Sequence, residues 1–288
     1  MTMKKNLCTS VILSTYNEPK WLEKVIIGFQ NQIEMPDELV IADDGSTQET
    51  KKVIDRLRND SPFPIIHVWQ EDEGFQKTKI LNKALHEVMG EYIVFSDGDC
   101  IPRNDFIKVH KTNAQEGYFL SGGHLNLPLQ TSQSITAHDI KNGNAFNVKW
   151  LINNGLKKTH KTLKLTTFGW QQKVLNIITP AGATWNGGNS SGWFSDILHA
   201  KGFDERMQYG GEDRELGERL FNAGIKSKQL RYSAIVVHLD HKRSYVKPEM
   251  KLKNNEIRKQ TKKQKLTQTL YGLNRQNTSD IYLCKPFV

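Results

Sequence analysis

The chain has 288 residues, a formal net charge of +9 and three cysteines. That length allows one large domain or two closely packed lobes with ample material for a core. No run of ~18 consecutive apolar residues is present, which excludes an ordinary transmembrane helix. Leu7 to Leu13 is short and interrupted by Thr9 and Ser10, so it reads as a first strand, and no secretory signal is expected. Cys8, Cys100 and Cys284 are odd in number and widely spaced, which predicts a reducing compartment and no disulfide framework. The positive charge suits nucleotide phosphates, nucleic acid or an anionic membrane surface without choosing among them.

The first ~100 residues alternate between two hydrophobic periods, as a parallel α/β sheet requires. Strands are predicted at Cys8 to Ser14, Leu39 to Ala42, Ile65 to Trp69 and Tyr92 to Phe95. Helices are predicted at Trp21 to Gln30, Thr47 to Leu57 and Lys77 to Met89, each with an apolar stripe at helical spacing. A helix from Phe106 to Ala114 and a strand from Tyr118 to Leu125 follow. The stretch 126–180 is the least legible; it reads as an insertion carrying substrate selectivity. Beyond it, helices are expected at Ser191 to Ala200 and Arg214 to Asn222, the latter closed by Ala223-Gly224. A strand from Ala234 to Val237 ends at His238. From Lys247 to Lys265 the chain is strongly basic and suits an anionic membrane surface. The expected organisation is a nucleotide-type α/β half at 1–125, a second half at 126–245 that contains the insertion, and a basic helical tail at 246–288.

Chemistry-bearing residues fall at the ends of these elements. Strand four runs into Phe95-Ser96-Asp97-Gly98-Asp99, and ligands of open α/β sheets bind where strands end. Two carboxylates there suit a divalent cation carrying substrate phosphates, although Asp-Gly-Asp is also good turn chemistry. Asp99 and His238 would offer oxygen and nitrogen, a mixture that Mn²⁺ (or Mg²⁺ in its place) accepts to different degrees, with His241 as the rival histidine. Cys100 reads as a small buried side chain. Asp43 and Asp44 end strand two, where a carboxylate can meet a ribose or base, or cap the following turn. Neither a Gly-x-Gly-x-x-Gly turn nor a Walker A sequence is present. Phosphates would therefore be met by a metal and by lysines such as Lys77 or Lys79. Glu212-Asp213 opens a helix after Gly210-Gly211; acids favour such a first turn, and a carboxylate kept ionised there can also act as a general base.

Taken in order, these motifs resemble bacterial family-2 glycosyltransferases of the GT-A fold. The runs that carry the likeness are Val11-Ile12-Leu13-Ser14-Thr15-Tyr16-Asn17-Glu18, Ile41-Ala42-Asp43-Asp44-Gly45-Ser46-Thr47 and Phe95 to Asp99. The later runs Gly187-Gly188-Asn189, Gly202-Phe203-Asp204-Glu205 and Gly210-Gly211-Glu212-Asp213-Arg214-Glu215-Leu216 look like the galactosyltransferase-type C-terminal region. That region is shared by β-1,4-galactosyltransferases and bacterial chondroitin polymerase modules. Asp72-Glu73-Gly74-Phe75-Gln76 is similar to the polymerase modules as well.

The resemblance implies a mostly parallel nucleotide-binding sheet with helices on both faces, and an inverting transfer from a UDP-sugar. Thr15, Asn17, Glu18, Asp44, Gln76, Lys79, Asp97 and Gly98 would hold the nucleotide-sugar. Asp99 and His238 would bind the metal. Asp213 would be the base, oriented with help from Glu212. Trp185, Gly188, Asn189 and Tyr209 would meet the sugars. One departure concerns the aromatic platform: Met207-Gln208-Tyr209 stands where galactosyltransferases commonly carry Trp-Gly-Trp. The Gln-x-x-Arg-Trp signature of processive synthases is absent, which favours single additions. The expected partners are a UDP-sugar donor and a glycan or glycolipid acceptor such as lipopolysaccharide or capsule, at the inner face of the cytoplasmic membrane. The rivals are a nucleotidyltransferase acting on sugar phosphates and a basic nucleic-acid-binding module.

Overall fold

Strand β1 (Thr9–Thr15) is buried along nearly its whole length. Val11 and Leu13 enter one hydrophobic core and Ile12 enters another. This is the alternation expected of a strand with both faces covered. The structure is a computed structural model and describes residues 7–179, 182–241 and 246–273.

After β1 come α1 (Pro19–Gln30), β2 (Glu38–Asp43), α2 (Gln48–Asn59), β3 (Ile65–Trp69), α3 (Lys77–Glu87) and β4 (Tyr92–Asp97). Next are β5 (Cys100–Pro102), α4 (Phe106–Asn113) and β6 (Tyr118–Asn126). Short helices fill the next stretch: α5 (Leu129–Ser134), α6 (Ala137–Lys141), α7 (Val148–Asn153), α8 (Leu163–Thr166) and α9 (Trp170–Ile178). The chain then forms β7 (Asn189–Trp193), α10 (Phe194–His199), α11 (Glu212–Asn222), β8 (Lys226–His238) and α12 (Pro248–Lys263).

All strands join one eight-stranded sheet in the order β3-β2-β1-β4-β7-β6-β8-β5. The first four strands in that order are parallel, whereas β7 runs antiparallel to β4 and β6. One core lies between the sheet and α1, with Leu22, Val25, Ile26 and Phe29. The other lies under α3, α10 and α11, with Ile80, Leu81, Ile197 and Leu216.

Two expectations change. The predicted helix from Ser191 begins as a strand, because Asn189–Trp193 is the central link between β4 and β6. Its small residues let the sheet meet a large side chain: a carbon on Gly192 would lie 3.2 Å from the Trp185 ring. The predicted strand at Ala234 to Val237 is the end of the 13-residue β8, and β5 was too short to carry a pattern. Cys100 is free and buried, and Cys284 lies outside the described residues.

The basic stretch after Lys247 is helical where described. Met250, Asn254, Ile257 and Thr261 are buried, and α12 packs against α11. Among the described residues no helix is long and apolar enough to cross a membrane.

Candidate active site

The cleft opens at the C-terminal ends of β1 and β4 and has a volume of about 960 Å³. This is the sheet edge where parallel strands deliver loop side chains. Gly98 turns the chain sharply there. Its N–H donates to the Ser14 carbonyl at 2.8 Å, and a side chain on it would sit 3.1 Å from Thr15 Oγ1.

Asp97 is held from two sides. Ser14 Oγ donates to its Oδ1 at 2.6 Å, and Lys77 Nζ donates to the same oxygen at 2.6 Å. Burial disfavours a charged Lys77, but the Asp97 carboxylate overrides it, and Glu212 and Asp213 add to the effect. The lysine is therefore held charged well beyond its usual range. Lys79 is the correction here. It reaches outward to Glu73 at 3.8 Å and does not line the cleft. Two residues along a helix turn a side chain to another face, so only one of the two lysines can point inward.

At the ends of β1 and β2, Thr15, Asn17, Glu18 and Asp44 line the cleft. Asn17 adopts a positive φ of 50°, and its Oδ1 accepts the Thr47 N–H at 2.9 Å. That bond ties the loop after β1 to the start of α2. Asp44 accepts from the Gln76 N–H at 2.8 Å and from Gln70 Nε2 at 2.6 Å. Burial nevertheless raises its pKa to about 6. Gln76 thus acts through its backbone and does not itself line the cleft. Asp43 is structural: it accepts from the Ser46 N–H and contacts His67 Nε2 at 2.9 Å.

The second carboxylate of the turn meets imidazoles. β5 pairs with β8 so that Cys100 stands opposite His238. His238 Nε2 lies 3.4 Å and His241 Nε2 lies 2.9 Å from Asp99 Oδ2. Burial works against an ionised Asp99, but the His241 hydrogen bond and the two imidazoles hold its pKa below the usual carboxylate range. Donor atoms of Asp99, Cys100 and His238 lie within 4.8 Å of one another. Burial and the nearby Asp99 and Asp97 charges keep the Cys100 thiol protonated. The usable set is oxygen plus imidazole nitrogen, which fits a cation of the Mn²⁺ type.

Across the cleft, Gly211 starts α11 with a φ of 87°. Glu212, Asp213 and Glu215 occupy the first turn, where the helix dipole favours acids. Asp213 accepts the Gly187 N–H at 3.0 Å and the Arg214 N–H at 2.7 Å. Glu212 accepts the Gly210 N–H at 2.8 Å. Burial, then the Asp213 charge, pushes its pKa up to about 7, against the pull of Lys77. A side chain on Gly187 would lie 3.4 Å from Lys77 Nζ and 3.9 Å from Asp213 Cβ. One on Gly188 would lie 3.0 Å from Asp97 Oδ2. Bare backbone at 187–188 therefore keeps the space between the acidic groups open.

Tyr209 lines the cleft with its ring edge-to-face against Phe75, and Lys251 Nζ stands 5.7 Å from its centroid. Two of the expected sugar contacts are elsewhere. Trp185 is fully buried among Phe95 and Phe119. Asn189 is fully buried too, and bonds the Gly123 and Ala234 carbonyls and His110. Both lie behind the cleft. Sequence reasoning passed over Lys251, Asn255 and Arg258 of α12, which line it instead. Their i, i+4, i+7 spacing was the available signal.

Known proteins share this architecture. A chondroitin synthase from Pasteurella multocida is 24% identical over 245 residues, covering 77% of this chain and 24% of that protein. The crystal structure of S. aureus TarS 1-349 in complex with UDP-GlcNAc aligns with a TM-score of 0.57 at 17% identity, covering 86% of this chain and 64% of that one. A mannosyltransferase from Pyrobaculum calidifontis, in complex with GDP-Man and Mn²⁺, aligns at 0.56 and 19% identity, covering 84% and 59%. These likenesses establish a GT-A-like fold. The chain spans between 24% and 64% of the length of the curated relatives it matches first. The family model described as Glycosyl transferase family 2 matches residues 10–167, and the chain belongs to that family.

Proposed function

We propose that the protein is an inverting glycosyltransferase. It moves a hexose or N-acetylhexosamine, of galactose type for preference, from a UDP-sugar to a hydroxyl of a cell-surface glycan. The observation that carries this reading is that the Lys77–Asp97 pair and Asp213 converge on the bare backbone at 187–188. A transferase of this kind needs a base for the acceptor hydroxyl and charge compensation for the leaving group.

Thr15, Asn17, Glu18 and Asp44 would hold the uridine part, and Asp97 the ribose or sugar, fixed by Ser14 and Lys77. Asp99 and His238 would hold Mn²⁺, which when bound offsets the charge of the leaving diphosphate. Asp213 accepts the proton of the acceptor hydroxyl as its oxygen bonds to the anomeric carbon. The bond from that carbon to the diphosphate oxygen breaks, and its electron pair leaves with UDP. The transition state resembles an oxocarbenium ion, and a single displacement converts an α-linked donor into a β-linked product. Glu212 positions the loop through the Gly210 N–H. Tyr209 and Gly188 border the sugar space. The segment 126–180 carries substrate selectivity, and the nucleotide-sugar half ends near 125. The protein works at the inner face of the cytoplasmic membrane. The UDP-GlcNAc and GDP-Man complexes of the structural neighbours support a nucleotide-sugar donor.

The test is a panel of UDP- and other nucleotide-sugars with Mn²⁺, read by thermal shift and hydrolysis. A specific ligand of the native state raises the melting temperature. A UDP-sugar that does so and yields a β-linked product by proton NMR coupling supports the reading. A panel in which no nucleotide-sugar shifts melting overturns it.

A further inference from the structure

Helix α9 is built the wrong way round for a soluble surface. Its apolar residues Trp170, Val174, Ile177 and Ile178 are 72%, 42%, 81% and 64% exposed, and Phe168 just before it is 63% exposed. Spacing of four, three and one residues puts the four on one helix face. The opposite face is turned inward by polar anchors. Asn176 donates from Nδ2 to Ser233 Oγ at 2.8 Å and accepts the Tyr232 N–H at 2.8 Å. Strand β8 therefore fixes the helix, through the Tyr232 backbone and the Ser233 side chain, with its apolar side outward. A contiguous exposed patch of this type marks an interaction surface.

The charge around it selects the partner. Residues 140–195 contain no Asp or Glu, and seven lysines: Lys141, Lys149, Lys157, Lys158, Lys161, Lys164 and Lys173. Lys157, Lys158, Lys161 and Lys173 are exposed. Lys164 donates to the His124 carbonyl at 2.8 Å. It is held at a lowered pKa of about 8 by burial and by the Arg231 and Lys161 charges, a crowding of cations that an anionic partner would relieve.

We propose that the outward face of α9 and its surrounding lysines dock the protein on an anionic lipid bilayer. An apolar face bearing Trp and Ile beside a basic collar is the pattern of a helix lying in the membrane interface. His124 lines the active cleft, and Lys164 is bonded to its carbonyl. A docked α9 thus brings the rim of the cleft close to the lipid, where a lipid-carried acceptor would arrive. This locates the membrane contact on α9 and not on α12. The proposal does not depend on the reaction assigned above.

The test uses the full chain with phosphatidylglycerol or phosphatidylcholine vesicles, read by co-sedimentation. Wild type is expected to bind phosphatidylglycerol vesicles, and to lose part of that binding in salt. The Trp170→Ser/Ile177→Ser variant should bind at least about tenfold more weakly. Lys161→Glu/Lys173→Glu should lose the preference for phosphatidylglycerol. The Lys259→Glu/Lys263→Glu variant on α12 should bind as wild type. Brominated lipid should quench wild-type fluorescence more than that of Trp170→Phe. Circular dichroism melting, unchanged in all variants, separates docking from folding. Wild-type binding by Trp170→Ser/Ile177→Ser overturns the proposal, as does loss of binding in the α12 variant alone. A concentration-dependent dimer that the α9 variant abolishes, without vesicle binding by wild type, would assign the face to a second copy of the chain instead.

Discussion

Lys77 Nζ stands 2.6 Å from Asp97 Oδ1, and this pair joins the end of β4 to the first turn of α3. The same ammonium answers Glu212 and Asp213 across the cleft, so one cation organises both acidic groups. Its pKa is raised, so the stabilisation is fully present below the unfolded value of about 10.5. It is lost only as pH rises beyond the folded value, and is therefore intact at neutral pH.

Lys77→Met should leave Asp97 with the Ser14 hydrogen bond and lower stability by about 1–3 kcal/mol. Donor affinity should fall as well. Lys79→Met, which breaks a 3.8 Å pair with exposed Glu73, should change neither. Thermal melts and donor titration by calorimetry check both, and equal effects of the two variants would refute the assignment.

Asp213→Asn keeps the hydrogen bonds from Gly187 and Arg214 within reach but cannot take a proton. Turnover should drop by roughly 100–10,000-fold, the ordinary worth of general base catalysis. Donor and Mn²⁺ affinity should stay near wild type. Single-turnover kinetics beside calorimetry separates the two, and full turnover in this variant would remove Asp213 from the base role.

Glu212 has a pKa raised from 4.5 to about 7, chiefly by burial. Between these values the folded protein holds a proton that the unfolded chain has released. Its contribution to stability therefore declines as pH rises from about 4.5 through about 7. Glu212→Gln should melt above wild type at pH 8, with the gap closing toward pH 5. Scanning calorimetry over that range measures it, and a pH-independent gap would contradict the burial argument.

Asp99→Ala should abolish Mn²⁺ binding while the fold persists, since its carboxylate is the shared partner of His238 and His241. His238→Ala should weaken binding more than His241→Ala, because His238 completes the cluster within 4.8 Å. Electron paramagnetic resonance of bound Mn²⁺ reads this directly, and the reverse order would move the ligand to His241.

Trp185→Ala should cost about 3–5 kcal/mol, the usual loss for a large buried aromatic side chain. Its ring packs at 5.5 Å from Phe95 and 5.4 Å from Phe119. At a temperature where the variant is folded, the apparent KM for donor should be unchanged. A selective rise in KM without loss of stability would return Trp185 to the sugar site.

What the sequence by itself determined is local or periodic. The alternating strands β1 to β4, the amphipathic helices between them and the carboxylates at strand ends all leave a signal within a few residues. Burial on both strand faces and on one helix face writes itself directly into composition. The grouping of Thr15, Asn17, Asp44, Asp97 and Asp99 at one edge follows from parallel strand order alone. Other features depended on pairing across long separations. Asn189–Trp193 became a strand because β4 and β6 flank it, although Ser and Gly carry little strand preference. Trp185 and Asn189 sit near site glycines in sequence, yet the sheet turns them into the core. The choice of Lys77 over Lys79 came from the rotation of one helix against Asp97. The apolar face of α9 could be counted in the sequence, but its outward direction was decided only when Asn176 anchored to β8. An amphipathic pattern states that a helix has two faces, and only tertiary contacts decide which of them meets the protein.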